Sequence, residues 1–497
     1  KQKTAYEMPK WLEFSGVLFR SEKIIDDGER IEERHLVIFR GMRAQADSGD
    51  EVQARLGAGL FAAVLLLAFA FFLGAPRERP GTRDRVFVVV VLLAALFAAA
   101  VGVGLGDLLR ERAPGIPAEA WTWALPFAAA PMLVRMVLPG AVALALAAIF
   151  ALLVGLLAGA SLEVASFVLV GGVAGAARVA RARDRGGIFR AGLLAGLAQA
   201  AAVIAFALFD GRVAAWGVVM EVAAAFAGGA LFAPLVAIAL LPVVETVFRY
   251  TTDLRLLELA NLNHPALREL IVRAPGTYHH SIVVGTLVEA AAEAIGANPL
   301  LARVCALYHD LGKGRDPLAF GENQRGANLH DELPPEESAR RIIEHVQRGV
   351  ELARKYKLPR QVIDAIPQHH GTRLVGYFFH KATKARGEGD PPVDPAPFRY
   401  AGPKPQAREY ALVMMADAAE AASRAMQAPT AEKLEALVRK LIDGIRADGQ
   451  LDECDVTVRD LDTIARSFSS TLLAIYHGRP DYPAAAVGPQ RRLEAGG

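Results

Sequence analysis

The chain has 497 residues, of which 53% are hydrophobic and 22% charged, with a net charge of +2. This length suits about two to four domains, and the nearly balanced charge argues against binding to polymeric nucleic acid. The two cysteines, Cys305 and Cys454, are too few for a disulfide framework.

Residues 1–55 form a polar lead-in without the apolar core of a cleavable signal peptide. Long apolar runs are concentrated in residues 56–245, which we predict to cross a membrane, because each spanning helix needs about 20 apolar residues. We predict seven spans: 56–74, 86–106, three between 121 and 177 that are divided near 139–140 and 161–163, 188–209 and 214–243.

Two arginine-rich loops determine the predicted orientation of these spans. The first loop contains Arg77, Arg79, Arg83 and Arg85, and the second contains Arg178, Arg181, Arg183 and Arg185. Because Lys and Arg gather in short cytoplasmic loops, both loops should lie on one side, with an even number of spans between them. Four spans fit the length between the loops. Counting outward then places the N-terminus outside and everything after Val243 in the cytosol.

The chain after the membrane region is predicted to be all-α. Residues 246–270 form a connecting helix, interrupted at Asn263-His264-Pro265, and residues 481–497 form a tail. Between them, in residues 271–480, apolar residues recur at helical spacing and no strand alternation is found. The predicted fold is therefore a seven-helix transmembrane bundle followed by a cytosolic all-α domain.

The cytosolic domain contains histidines and aspartates in a characteristic order. They occur in His280-Ser281, His309-Asp310, His345-Val346, His369-His370 and Met415-Ala416-Asp417. Imidazole combined with carboxylate suits Mn, Fe or Zn better than Mg or Ca, which prefer oxygen ligands. Asp310 can share an ion with His309 or bridge two ions. His279 would point about 100° away from His280 on a helix, so only one of the two is expected to bind the same ion.

The sequence around these residues adds further short motifs. They are Ala274 to Ser281 (APGTYHHS), Tyr308 to Lys313 (YHDLGK), Glu322-Asn323-Gln324 and His369 to Thr372 (HHGT). The order H…HD…H…HH…D resembles that of the HD phosphohydrolase superfamily, in the variant with enough ligands for two metals. With the surrounding motifs, residues 50–480 resemble the seven-transmembrane HD family of bacterial cyclic-di-AMP phosphodiesterases, the PgpH type.

The resemblance implies a role for each residue of the site. One divalent ion would be bound by His280, His309, Asp310 and Asp417, and the other by Asp310, His345, His369 and His370. Asp310 would bridge the ions and act in catalysis with Lys313, whose ammonium would reach phosphate oxygens. Two divalent metal ions, Mn or Fe, are expected. Candidates for substrate contact are Glu322, Asn323, Gln324 and His330.

The resemblance also implies hydrolysis of cyclic di-AMP to pApA by an enzyme embedded in the bacterial cytoplasmic membrane. Residues 1–55 would be the remnant of an extracytoplasmic sensory domain with an unknown ligand, through which activity is regulated. Alternatives are an HD hydrolase of cyclic di-GMP or a guanosine alarmone, and a nucleotide sensor without catalysis. A transporter is disfavoured, because the spans offer almost no polar pathway and only Glu221 carries a charge well inside one. A homodimer is left open.

Overall fold

A computed structural model describes residues 30–476, apart from residues 47–49, 75–79, 114, 181–183, 214–215, 325, 327, 388–390 and 427–428. Within this part of the chain the regular structure is helical, and no strand is present beyond an isolated bridge between Leu374 and Arg399. The predicted all-α fold is therefore confirmed. The predicted tail and the lead-in up to residue 29 lie outside the described residues.

The first half of the chain contains most of the apolar helices. Their bounds are α1 Glu33–Ala46, α2 Asp50–Gly74, α3 Thr82–Arg112, α4 Ala118–Trp123, α5 Ala129–Val137, α6 Gly140–Leu157, α7 Leu162–Val179, α8 Arg185–Phe209, α9 Trp216–Ala227 and α10 Ala233–Phe248. A π-helical segment, Gly228–Phe232, joins α9 to α10 without interruption.

Six helical segments in the described part of the chain are long and apolar enough to cross a membrane. They are Ala54–Gly74, Thr82–Gly106, Gly140–Leu157, Leu162–Val179, Arg185–Phe209 and Trp216–Phe248. These six correspond to six of the seven predicted spans.

The third predicted span differs, because it is divided between α4 and α5. Pro126 lies between the two helices and lacks the N–H that a continuous helix would use there. Trp121 of α4 packs on Gly106 near the end of α3, whereas Met132 of α5 packs on Gly175 near the end of α7. The two short helices together therefore run along the bundle in the place of one continuous span.

Short polar side chains cap the N-termini of several helices. The Ser161 hydroxyl accepts a hydrogen bond from the backbone N–H of Val164 at the start of α7, and the Asp184 carboxylate accepts one from Gly187 at the start of α8. Such caps satisfy N–H groups that have no partner within the helix. Local sequence thus fixes where these helices begin.

Glycines allow close packing around the π-helical segment. A Cβ on Gly229 would overlap the backbone nitrogen of Gly196 in α8 and the side chain of the wholly buried Gln199. Small residues let membrane helices approach closely, which increases van der Waals contact where no water is available to drive association. This crossing fixes α8 against the span formed by α9 and α10.

Arg83 and Arg185, one described residue from each arginine-rich loop, lie at the end of the bundle from which the chain continues to the C-terminal domain. The Tyr250 hydroxyl, just after α10, donates a 2.6 Å hydrogen bond to Asp84 in the first turn of α3. The Arg83 guanidinium lies 4.4 Å from the centroid of the Tyr250 ring. In the second loop, Arg185 lies 3.9 Å from Glu258 in the connecting region.

The C-terminal part contains ten helices among the described residues. Their bounds are α11 Asp253–Leu259, α12 Pro265–Arg273, α13 Pro275–Ile295, α14 Pro299–Tyr308, α15 Pro335–Lys355, α16 Arg360–Gln368, α17 Gly376–Lys384, α18 Arg408–Arg424, α19 Ala431–Ala447 and α20 Val458–Tyr476. α13 is central and packs against α12, α14, α18 and α20. Its buried Val284, Leu287 and Val288 belong to the main apolar core, and each contributes about 1.5–3 kcal/mol by its burial.

Candidate metal centre

Seven predicted ligands converge at one place in the C-terminal domain. His280 lies on α13, His345 on α15 and Asp417 on α18, whereas the two adjacent pairs leave the ends of α14 and α16. The side chains form two groups: His280, His309, Asp310 and Asp417, and Asp310, His345, His369 and His370. Within each group the ligand atoms all lie within 4.8 Å of one another. The exposed His279 belongs to neither group.

Asp310 is shared by the two groups, and its two oxygens face different histidines. Oδ2 lies 3.1 Å from His309 Nε2 and 3.6 Å from His280 Nε2. Oδ1 lies 3.4 Å from His345 Nε2 and 3.6 Å from His369 Nε2. One carboxylate thus presents one oxygen to each group, which is the arrangement that a bridging ligand requires.

The other ring nitrogen of these histidines is held in place by a hydrogen bond. The Nδ1 atoms of His309, His345 and His369 each contact the backbone carbonyl three residues earlier. His280 Nδ1 lies 2.6 Å from Glu420 Oε2. A proton fixed on Nδ1 leaves the lone pair of Nε2 directed at the centre, as in most histidine-bound metal sites.

Two glycines allow the ligand-bearing turns to form. A Cβ on Gly312 would overlap the carbonyl oxygen of His345, so only glycine lets the turn after Asp310 lie against α15. Gly371 has φ +55° and directs the chain away from α16 immediately after the histidine pair. His369 and His370 therefore lie at the end of α16.

Lys313 lies beside the shared carboxylate. Its Nζ is 2.6 Å from Asp310 Oδ2 and 3.2 Å from Glu322 Oε1. Burial disfavours the charged ammonium, but the carboxylates of Asp310 and Glu322 outweigh burial and raise the pKa of Lys313. The side chain therefore keeps its positive charge at neutral pH.

The histidines are affected differently by burial and by the carboxylates. Burial disfavours a charge on His309, but Asp310 and Asp417 outweigh it and raise the pKa of the imidazole to about 10. Burial dominates at His369 and lowers its pKa to about 4. Burial also opposes the charge on Asp310, yet His309 and Lys313 hold its pKa well below the usual value. The carboxylates thus attract positive charge, supplied by protons or by cations.

The donor atoms fit a metal centre. Among the described residues, the buried Nε2 atoms of His280, His309, His345 and His369 and Oδ1 of Asp310 have no hydrogen-bond partner, whereas Oδ2 of Asp310 forms an ion pair with Lys313. Buried polar atoms are nearly always paired, so a cluster of unpaired ones requires a further partner. Imidazole and carboxylate ligands suit Mn, Fe and Zn. The two groups can therefore hold metal ions.

The candidate substrate residues have protein partners in the structure. Besides Lys313, Glu322 accepts a hydrogen bond from Thr277, and Asn323 accepts two from the first turn of α13. Gln324 donates to the Leu318 carbonyl. These three residues therefore brace the loop beside Lys313, and their contact with substrate stays a prediction.

His330 lies apart from both ligand groups. Its Nε2 is 2.8 Å from the carbonyl oxygen of Ala319, and its ring packs on Phe378. Its own carbonyl accepts a hydrogen bond from Lys381. The proposed role of His330 in lining the pocket likewise stays a prediction.

Sequence reasoning missed two residues at the site. Glu420 is buried and orients His280; its signal was the spacing of three residues from Asp417, which puts both carboxylates on one face of α18. Tyr400 comes from the loop before α18, and its ring stacks on His370 with the centroids 4.2 Å apart. Burial raises the pKa of Tyr400, which keeps its hydroxyl protonated. No periodic pattern marks a loop residue of this kind.

Two family models match the chain. A model described as a 7TM receptor with intracellular HD hydrolase matches residues 52–252, and an HD domain model matches residues 277–422. The first range contains the membrane helices and the second contains all seven converging side chains.

The chain is also similar to two known proteins that are named cyclic-di-AMP phosphodiesterase PgpH. The chain is 42% identical to the cyclic-di-AMP phosphodiesterase PgpH of Bacillus subtilis (strain 168), over 64% of this chain and 44% of that protein. It is 38% identical to the PgpH of Listeria monocytogenes serotype 1/2a (strain 10403S), over 72% of this chain and 50% of that protein. The chain thus spans about half the length of these relatives.

One solved structure covers only the C-terminal part. It is the HD domain of L. monocytogenes phosphodiesterase PgpH in complex with cyclic-di-AMP, with 43% identity over 44% of this chain and 100% of that chain, and a TM-score of 0.42. The two family models and the sequence identities concern the membrane helices and the C-terminal domain together. The chain therefore belongs to the family of seven-transmembrane receptors with an intracellular HD hydrolase domain.

Proposed function

We propose that this chain is a membrane-bound phosphodiesterase that opens cyclic di-AMP to the linear dinucleotide pApA at two divalent cations. The proposal rests on the position of Asp310, because its two oxygens face two separate groups of ligands. A shared carboxylate of this kind is suited to a pair of ions rather than to one ion. The names of the two PgpH relatives support the choice of substrate.

The cations would be bound as the family resemblance implies. His280, His309 and Asp417 would complete one site around Asp310, and His345, His369 and His370 the other. When bound, the two ions would lower the pKa of a bridging water and stabilise negative charge on the phosphate. We propose two ions of Mn or of Fe, as the resemblance implies, and both metals accept mixed nitrogen and oxygen ligands.

The remaining residues would position the phosphodiester and balance its charge. Lys313 keeps its charge beside Asp310 and would donate to a non-bridging phosphate oxygen or to the leaving oxygen. Glu322 holds the ammonium from its other side, which limits the directions available to it. The protonated hydroxyl of Tyr400, on the ring that stacks on His370, is a further donor for the substrate.

We also propose that the HD domain lies in the cytosol of a bacterial cell, beneath the cytoplasmic membrane. Arg83 and Arg185 belong to the two basic loops, and both lie at the end of the bundle that leads to the HD domain. Basic loops favour the cytoplasmic side. A ligand on the extracytoplasmic side would regulate the activity through the bundle.

The test is metal analysis combined with hydrolysis by the purified full chain. Cyclic di-AMP, cyclic di-GMP and a guanosine alarmone are supplied in parallel, and pApA is the expected product, formed from the first alone. His280→Ala should lower both the metal content and the turnover, whereas His279→Ala, which changes the exposed neighbour, should leave both unchanged.

Three outcomes would contradict the proposal. Cleavage of another nucleotide in preference would favour the other HD hydrolases. Binding of cyclic di-AMP by metal-loaded protein without cleavage would favour a nucleotide sensor. Full turnover by His280→Ala would show that the converging side chains are not the catalytic centre.

A further inference from the structure

A lateral groove of about 360 Å³ lies between α3 and α10. Ala94 and Ala98 of α3 form one wall, and Leu240 and Val243 of α10 form the other. All four side chains are exposed at the surface of the bundle. The groove therefore opens sideways, toward the space that lipid occupies around a membrane protein.

The divided third span forms the floor of the groove. Leu125, Pro126 and Phe127 lie in or beside the break between α4 and α5, and Leu133 of α5 continues the floor. A continuous helix would carry side chains along its whole length into this space. Because the helix is interrupted, the space between α3 and α10 remains open and its lining is apolar.

Aromatic rings close the groove at the end that leads to the HD domain. The Phe87 ring of α3 lies 5.0 Å from the Phe248 ring of α10 and 5.2 Å from the Tyr250 ring. The groove reaches from Phe87 to Ala99 along α3, which at 1.5 Å per residue is about 18 Å. This length is close to the ~15 Å of one leaflet, half of the hydrocarbon core.

Three arginines lie just beyond this closed end. Arg83, Arg85 and Arg249 are all exposed, and Arg83 donates to the backbone carbonyl of Arg249. The adjacent carboxylate of Asp84 is occupied by the Tyr250 hydroxyl and by Arg83. Positive charge therefore prevails at the level where lipid phosphates lie, and basic residues at this level attract anionic lipids.

We propose that the groove binds one anionic phospholipid. One acyl chain would lie between α3 and α10 on the floor made by the divided span, the phosphate would contact Arg83 and Arg249, and Arg85 would add to the positive charge nearby. A helix of another protein, about 10 Å wide with its side chains, would be a thicker occupant. An acyl chain is thinner and fits the leaflet length of the groove.

The test uses the full chain reconstituted in phosphatidylcholine nanodiscs. Phosphatidylglycerol or phosphatidylcholine with a photoactivatable acyl chain is added in trace amounts, and the labelled peptides are mapped by mass spectrometry. We expect phosphatidylglycerol to label α3 and α10 about tenfold more than the exposed apolar face of α2, and about tenfold more than phosphatidylcholine does. The labels should fall on groove residues.

Variants distinguish the groove from general contact with lipid. Ala98→Trp should fill the groove and lower labelling about tenfold by steric exclusion, whereas Ala100→Trp, on the exposed face of the same helix outside the lining, should not. Arg83→Gln combined with Arg85→Gln should reduce phosphatidylglycerol labelling to the level of phosphatidylcholine. Thermal unfolding of each variant verifies that it folds, and Ala94→Phe replaces Ala98→Trp if the latter does not.

Several results would overturn the proposal. Equal labelling by the two lipids, or labelling of α2 equal to that of the groove, would show ordinary contact with the bilayer. The wild-type protein alone decides this comparison, whatever the variants do. Labelling that survives a folded Ala98→Trp would place the lipid elsewhere. Absence of lipid label together with cross-links between α3 of two copies would show that a second copy covers the groove.

Discussion

The membrane helices and the HD domain differ in how they use buried polar groups. In the HD domain, four buried histidines and Asp310 converge on one point, and the Nε2 atoms of these histidines and Oδ1 of Asp310 have no hydrogen-bond partner among the described residues. In the bundle, the buried Glu221 is paired with Arg212 at 3.2 Å, and the amide of the buried Gln199, which also has no hydrogen-bond partner among the described residues, lies singly against glycine backbone. The unpaired polar atoms of the HD domain are thus concentrated in one cluster, whereas those of the bundle are dispersed.

This difference indicates which region contains the functional site. Unpaired buried donors are costly unless a metal or a substrate completes them, so their concentration in the HD domain indicates function. The bundle is stabilised by close backbone approach and by apolar contact. Variants in the two regions should accordingly affect different quantities, and the following experiments test that expectation.

The largest effect is expected for Asp310→Asn. The change removes the shared negative charge and replaces one oxygen by an amide nitrogen, so both ions lose a ligand. Hydrolysis should fall at least about 10³-fold, with loss of bound metal. Turnover and elemental analysis provide the measurement. Asp443→Asn, at an exposed position on α19, is the matched control; two ions retained by Asp310→Asn would refute the bridging role.

Gly312→Ala tests the close backbone approach between the turn after Asp310 and α15 in the HD domain. The new methyl group would overlap the His345 carbonyl and push α15 away, at a cost of about 2–4 kcal/mol in the free energy of unfolding. Hydrogen exchange of α15 in the full chain should report this loss. Gly321→Ala, where the methyl group meets nothing within 4 Å, should change protection by less than about 0.5 kcal/mol. Similar protection in both variants would contradict the packing argument.

Glu420→Gln tests the residue that holds His280. A neutral amide is a weaker acceptor for the Nδ1 proton, so the imidazole becomes less basic and less well oriented. Metal affinity should fall about 10–100-fold, as measured by competition with a chelator. Glu432→Gln, on the exposed first turn of α19, should leave affinity unchanged. If both variants bind metal equally, Glu420 does not support the site.

The smallest effect is expected for the ion pair in the bundle. Arg212→Ala leaves Glu221 buried without its partner, but Arg212 is itself 38% exposed, so the cost should be only about 1 kcal/mol. Arg439→Ala removes the partner of Asp462 on the HD surface and should cost about 0.5 kcal/mol or less. Unfolding in detergent measures both. An equal or larger loss for Arg439→Ala would reverse the comparison.

Motif order and apolar runs were sufficient to predict much of this molecule. The H…HD…H…HH…D order anticipated which side chains the structure brings together, since each motif carries its own local geometry. Gly371 signalled the turn after His370 in the sequence itself. Six of the spans were found because a long apolar run has few alternatives to a membrane helix.

The remaining features depend on tertiary contacts. Pro126 was present in the predicted third span, but a proline alone does not distinguish a kinked helix from a divided one. Tyr400 reaches His370 only through the path of a long loop. The contact of Glu322 and Asn323 with substrate stays a prediction, and their partners on α13, which are distant in sequence, became visible only in the structure.

The aromatic contact between α3 and α10 has a mechanical consequence. Phe87, Phe248 and Tyr250 fasten the two helices at one end, while the walls of the groove stand apart beyond it. Because α3 and α10 are in contact at this end, the distance between them can change less here than at the open end of the groove. The ring contact therefore holds α3 and α10 together directly beside the segment that leads to the HD domain.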